Sequence, residues 1–223
     1  MASTSAWTPL WLTLQVASLA TLLAFVAGVS AAYAVARWRI PGKEWIDAVL
    51  TLPMVLPPTV LGYYLILVVG RHGVVGRWLH EHFDVSVLFT WQGAVIAAAV
   101  VSFPLVFKSA RASYEGVEPQ LENAARTLGM SEPAVFARIT FPLAWRGILA
   151  GTLLGYARAM GEFGATLMVA GNLPGRTQTL SLAIYDAVQG GDDDVANFLV
   201  LVTSAVCIAT LVTSARMLRV RYA

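Results

Sequence analysis

Residues 121–142, LENAARTLGMSEPAVFARITFP, form a polar island in an otherwise oily chain, and their reading decides the architecture. Leu121, Ala124, Ala125 and Leu128 recur at i, i+3, i+4 and i+7, so one helical face is apolar and flat. Glu122 and Arg126 stand four apart in the acid-first order that supports a helix. Pro119 suits a first turn, and Gly129 suits the residue just past the end. A second short helix is predicted from Ser131 as N-cap, with Glu132 and Pro133 in its first turn, closing before Pro142. Two short amphipathic helices joined at a glycine leave an apolar face that needs a partner.

Outward from this island the chain turns apolar. Of its 223 residues 57% are hydrophobic and 13% charged, against about 25% charged in a soluble domain. Residues 1–36, 48–70, 85–107 and 195–215 carry no charge. Each is long enough for the roughly 20 residues a spanning helix needs. Residues 147–169 qualify in length, although Arg158 and Glu162 interrupt them. The expectation is one all-α polytopic membrane domain over residues 1–223, with spans near 9–37, 48–70, 88–112, 147–170 and 195–216. A loop over 113–146 joins spans 3 and 4. A cleaved signal peptide ending at Ala32-Tyr33-Ala34 is the competing reading of the start. No Lys or Arg precedes the run, and the run far exceeds a signal core, so an uncleaved span is favoured.

Positive charge sets the expected orientation. Arg37, Arg39 and Lys43 follow span 1; Lys108, Arg111, Arg126, Arg138 and Arg146 lie between spans 3 and 4; Arg216, Arg219 and Arg221 follow span 5. The opposite side holds only Arg71, Arg77 and Arg176. The N-terminus is therefore expected outside, and the C-terminus and residues 121–142 in the cytoplasm. Trp7 and Trp11 are expected at the outer interface and Trp38 at the inner one.

Two spans depart from uniform apolarity. Span 2 contains Pro53, Pro57 and Pro58, and a proline break survives in hydrocarbon where it is buried in protein or lines a wet cavity. The alternative is that Pro53 ends an interfacial helix and the span starts at Pro58. In span 4, Arg158 and Glu162 share one helical face at a depth where ionisable groups face a bundle interior or water. They either pair and hold helices together, or Glu162 and its neighbours line a path. Gly151, Gly155, Gly161 and Gly164 provide faces for close helix packing.

The outer segments are less telling. His72, His80 and His82 lie in residues 71–90 near Glu81 and Asp84, but the H-E-H spacing does not converge on a metal, and a solvated loop is the better reading. Residues 171–194 carry turn signals at 172–175, a short amphipathic helix near 180–188 and the acidic run 192–194, which lacks a calcium loop's spacing. This segment is a candidate docking surface for an external partner. Cys207 reads as a small buried apolar residue.

Catalytic motifs are missing from the sequence. The lysines are Lys43 and Lys108, and neither ends a glycine-rich phosphate loop. No GxSxG, HExxH or paired-cysteine motif occurs. A protein built this way that moves a solute uphill draws its energy from another subunit.

Residues 121–142 resemble the EAA loop of binding-protein-dependent ABC importer permeases, E-A-A-x3-G-x9-I-x-L-P. Ala124, Ala125, Gly129, Ile139 and Pro142 match at the family's spacing. Asn123 occupies the usual Glu position with Glu122 one residue earlier, and Phe141 stands in place of Leu. The resemblance runs over nearly the whole chain: LPMVLPPTVLGYYLILVVGRHGVVG, LENAARTLG and ARAMGEFGATLMVAGNLPGRTQTLSLAIY are similar to permeases of the molybdate branch. GEFGA also recurs in sulfate and thiosulfate permeases.

The resemblance implies the five-span core of the type I ABC importer permease fold in a bacterial or archaeal cytoplasmic membrane. It implies a homodimer working with two cytoplasmic ATPases and an extracytoplasmic binding protein that delivers molybdate or tungstate. No cofactor is expected on this chain, and no nucleic-acid partner; ATP and Mg belong to the ATPase. Residues 119–128 would be the coupling helix, and ATPase contact would fall to Glu122, Asn123, Ala124, Ala125, Arg126, Leu128, Gly129, Ile139 and Pro142. Pro57, Pro58, Arg158, Gly161, Glu162, Phe163, Gly164 and Thr166 are the candidate residues of the translocation path or gate. The alternatives are a sulfate or thiosulfate permease, a secondary transporter, which would show coupling ions or inverted repeats, and a membrane enzyme.

Overall fold

The computed structural model describes residues 6–38 and 41–218; Arg39, Arg219 and Arg221, used above for orientation, lie outside the described residues. Those residues form helices α1 (Trp7–Arg37), α2 (Lys43–Val55), α3 (Pro58–Val69), α4 (Val74–Phe83), α5 (Trp91–Glu115) and α6 (Pro119–Thr127). Then follow α7 (Glu132–Val135), a π turn (Phe136–Thr140), α8 (Phe141–Met160), α9 (Gly164–Ala170), α10 (Leu180–Gln189) and α11 (Asp193–Leu218). Among the described residues α1, α5 and α11 are each long and apolar enough to cross a membrane.

The centre of the bundle is the α1–α5 pair, with α8 packed across both. Small residues allow the approach: Ala17, Ala20, Ala24 and Ala32 of α1 and Ala94, Ala97, Ala98 and Ala110 of α5 are buried. Tetrahedral side chains larger than alanine at these positions would hold the axes apart, so van der Waals contact between backbones replaces the hydrophobic effect as the packing force. The expected glycine face of span 4 packs against α5, where a Cβ on Gly151 would collide with Ser109 and one on Gly155 with Val106. α11 by contrast is largely uncovered along its apolar length.

Span 2 is broken. α2 and α3 meet at Leu56 and Pro57 with a bend of 114°. Pro53 does not end α2, which runs two residues further; one missing donor in a last turn costs little there. α3 does start at Pro58, whose fixed φ suits a first turn.

Span 4 departs from the single crossing expected over residues 147–170: α8 stops at Met160, and α9 restarts at Gly164. The second helix of residues 121–142 also differs. Rather than closing before Pro142, α7 continues through the π turn into α8, with the Phe141 N–H bonded to the Phe136 carbonyl. A proline ring in an α-helix collides with the carbonyl four residues back, and a widened turn just before it relieves that contact.

The loop expected over residues 71–90 is not wholly loop, since α4 occupies it; His80 pairs with Asp84 at 3.2 Å, and His82 Nδ1 lies 3.0 Å from the Trp78 carbonyl. The expected outer helix near 180–188 is α10, preceded by a turn whose Gly175 has φ +73°. Thr13 Oγ1 accepts the Leu180 N–H at 2.8 Å and fixes α10 to α1.

Candidate functional site

The loop between α5 and α8 is built around a carboxylate. α6 starts at Pro119 and ends where Gly129, at φ +81°, turns the chain. The Gly129 N–H bonds the Arg126 carbonyl at 3.0 Å, and the Met130 N–H bonds the Ala125 carbonyl at 3.2 Å. This is the paired bond pattern of a Schellman end, which needs a left-handed residue at that position.

Packing divides α6 into two faces. Glu122, 4% exposed, and Ala125 are buried against the chain's own helices. Leu121 is 46% exposed and Leu128 84% exposed; Asn123, Ala124 and Arg126 are also open. The apolar face read from periodicity is therefore split, with Ala125 turned inward and Leu121, Ala124 and Leu128 presented outward. Ile139 is half-buried, and Pro142 is exposed at the start of α8.

Glu122 faces inward, away from the exposed face of α6. Its Oε1 accepts from Arg37 Nη2 and from the Thr140 hydroxyl, both at 2.6 Å. One buried oxygen thus joins the end of α1, α6 and the π turn. Charge-assisted bonds of this length are about twice as strong as neutral ones. Asn123 turns outward and accepts from Arg126 Nη1 at 2.9 Å.

Arg126 lies 3.9 Å from Glu122, so the predicted i, i+4 pair is loose. Its main partner is Glu132 across the glycine turn, with Nε to Oε1 at 2.6 Å and Nη2 to Oε2 at 3.0 Å. The hydrogen bonds from this guanidinium hold the Glu132 carboxyl below its usual range. Nearby, Asp47 of α2 takes Lys108 Nζ at 2.5 Å and Arg111 of α5, while Arg111 Nε bonds Glu115 at 2.9 Å. That network joins α2 to the same end of α5.

A second carboxylate organises the break in span 4. Glu162 Oε1 accepts the Ala165 N–H at 2.9 Å, satisfying one of the free donors at the start of α9. Its Oε2 lies 2.9 Å from Arg158 Nη1, a charge contact off the hydrogen-bonding line. The Glu162 side chain is 2% exposed and that of Arg158 is 38% exposed.

The breaks of spans 2 and 4 touch. A Cβ on Gly164 would sit 2.6 Å from Pro58 Cβ, so only glycine lets α9 approach α3 there. The sequence-derived path residues do not all share one surface. Pro57, Pro58 and Gly161 are open, Arg158 is half-buried, Phe163 meets Tyr185 at a tilted angle with centroids 5.0 Å apart, and Thr166 is buried at 1% exposure. A cavity of about 240 Å³ lies between α2, α3, α5 and α8 with Arg158 in its wall.

The comparisons with known proteins bear on the family and the fold. A profile of the family described as "Binding-protein-dependent transport system inner membrane component" matches residues 24–221. The chain is 43% identical over 209 residues, 93% of its length and 91% of the relative's, to the molybdenum transport system permease protein ModB of Escherichia coli (strain K12). It is 46% identical over 178 residues, 80% and 78% of the two lengths, to the ModB of Haemophilus influenzae. The sulfate transport system permease protein CysT of Escherichia coli is 34% identical over 89% of this chain and 72% of that one.

Among solved structures, the inward-facing MetNI methionine ABC transporter superposes with a TM-score of 0.76 at 16% identity, covering 98% of each chain. A bacterial ABC transporter involved in the import of the acidic polysaccharide alginate gives 0.78 at 16% identity over 100% of this chain and 82% of that one. An all-helical bundle with broken spans and an exposed helix between α5 and α8 is the fold of type I ABC importer permeases, and the chain belongs to the inner-membrane permease family of binding-protein-dependent transport systems.

Proposed function

We propose that this chain is the membrane-spanning subunit of an ATP-driven importer for molybdate, with tungstate as the nearest chemical substitute. It works as a homodimer, receives the anion from an extracytoplasmic binding protein, and takes its energy from two separate cytoplasmic ATPases. With the five crossings expected from the sequence, the bias of Lys and Arg favours an outer N-terminus and a cytoplasmic α6.

The observation that carries this reading is the split of α6. Glu122 and Ala125 lock one face to the chain's own core while Leu121, Ala124 and Leu128 stand outward. A short helix held from behind, with apolar side chains presented, fits helix-in-groove docking. Binding of that helix by ATPases that close on ATP would shift the permease between its states through differential affinity. Molybdate is favoured over sulfate because the molybdenum relatives are 43% and 46% identical and the sulfate relative 34%.

The test is reconstitution with a partner ABC ATPase and a molybdate-binding protein. Labelled molybdate should enter vesicles only with ATP, and excess tungstate should compete while sulfate does not. Equal competition by sulfate moves the chain to the sulfate branch. Uptake driven by an ion gradient without the ATPase makes it a secondary transporter.

A further inference from the structure

We propose that Arg158 is a transit contact for a tetrahedral divalent oxyanion, presented to the cavity between α2, α3, α5 and α8 by the buried Glu162. This rests on the import reading above and adds a place on the path where the anion meets charge.

The two members of the ion pair are unequally placed. Glu162 is spent inward: its side chain is 2% exposed, and one oxygen accepts the Ala165 N–H. Arg158 is 38% exposed, and among the described residues it makes no hydrogen bond, because its 2.9 Å approach to Glu162 is off-line. A guanidinium carries five N–H donors, and leaving them unmatched at the middle of an expected span is costly. A pair that served only to hold helices together would spend those donors on protein acceptors.

The rest of the cavity wall supplies no acceptor side chain. Pro53, Met54, Pro58, Leu61 and Leu105 face Arg158 across a space of about 240 Å³. A liquid water takes about 30 Å³, so the space admits a four-oxygen anion with part of its hydration. A rigid fork of N–H groups suits such oxygens, and apolar walls lower the dielectric around the contact. Because Glu162 already offsets the charge, the site is weakly attractive, as a path that must release its ion requires. Leu56 and Pro58, on either side of the joint of α2 and α3, line the cavity, so a change of that 114° bend changes access to Arg158.

Two measurements test this in the assembled complex. In a Cys207→Ser background, Leu105→Cys places a thiol on the cavity wall. An anionic methanethiosulfonate should label it several-fold faster than a cationic one of similar size, and Arg158→Gln should erase the preference. No labelling, or no charge preference, overturns the proposal whatever the transported anion is. For uptake, the double variant Arg158→Gln/Glu162→Gln avoids a stranded buried carboxylate and keeps an acceptor for Ala165. It should assemble yet lose at least ~10-fold in initial molybdate uptake, the scale of one lost charged hydrogen bond, with Arg158→Lys in between. Wild-type uptake in the double variant returns the pair to packing. Charge-selective labelling of the Leu105→Cys thiol, together with no molybdate import by the wild-type complex, would overturn the import reading and leave the anion contact standing.

Discussion

The molecule uses the same small device twice, at residue 122 and at residue 162. In each case a buried glutamate faces a more exposed arginine and takes a second donor, the Thr140 hydroxyl for Glu122 and the Ala165 N–H for Glu162. The difference is the origin of the arginine. Arg37 is 85 residues from Glu122 and belongs to another helix, whereas Arg158 is four residues from Glu162. A long-range pair ties elements together, so Glu122 makes the end of α1, α6 and the π turn move as one body. A local pair ties nothing distant, so Glu162 stabilises a helix break and sets the position of one cation.

Removing the acid should therefore break the two sites differently, with the larger effect at Glu122. Truncating one partner of a buried ion pair strands the other charge, and about 3 kcal/mol is the expected loss for Glu122→Ala. Part of that loss is local detachment: α6 has few apolar contacts of its own, and without Glu122 the exposed Arg126 and Arg138 should become trypsin sites in the otherwise folded chain. Swapping the charges, Arg37→Glu with Glu122→Arg, should restore much of the resistance. If Glu122→Ala leaves tryptic cleavage unchanged, the carboxylate is not what holds α6 in place.

The contrast also marks where sequence reading stops. Long charge-free runs made α1, α5 and α11 legible, and turn residues followed by an amphipathic stretch made α10 legible, because those signals are local. Gly129 was legible as a helix end for the same reason, and its φ of +81° agrees. Periodicity also found the amphipathic character of α6, yet it put Ala125 on the presented face and left Glu122 with Arg126. Neither the reach of Arg37 across 85 residues nor the position of Thr140 is written in a window of a dozen residues. The π turn was missed because Pro142 reads as a stop signal, while a widened turn lets a helix pass through it. The break at residues 161–163 was missed because a glutamate inside an apolar run reads as a buried charge, not as an acceptor for the next helix's free N–H groups.

A smaller effect is expected at Gly129, which separates backbone from contact. A Cβ there would meet nothing within 4 Å, so Gly129→Ala pays only for the left-handed conformation, about 1–2 kcal/mol. Gly129→Asn should cost less, because asparagine visits that region readily. Gly129→Asp adds charge beside the outward Leu128 and should release the ATPase while membrane insertion and tryptic resistance stay near wild type. Normal coupled transport in Gly129→Asp would remove the coupling-helix assignment. Together with Glu122→Ala this distinguishes the two faces of one short helix: the inward face fails as a loss of order, the outward face as a loss of partner.

The smallest effect is the clasp across the glycine turn. Arg126 and Glu132 are surface groups, and pairs of that kind contribute little. Its sign is nonetheless fixed. Hydrogen bonds from Arg126 hold the folded Glu132 carboxyl below its ordinary value of 4.5. A lowered folded value means the contribution is fully present above that ordinary range and is lost as pH falls through the depressed one. Wild type and Glu132→Gln should therefore differ slightly in thermal midpoint at neutral pH and converge in acid, once pH has fallen through the depressed value, and added salt should shrink the neutral-pH gap. A gap that survived acid would mean that Glu132 acts through packing against the turn and not through its charge. The clasp would then resemble the Glu122 site, where what matters is the body the carboxylate holds in place.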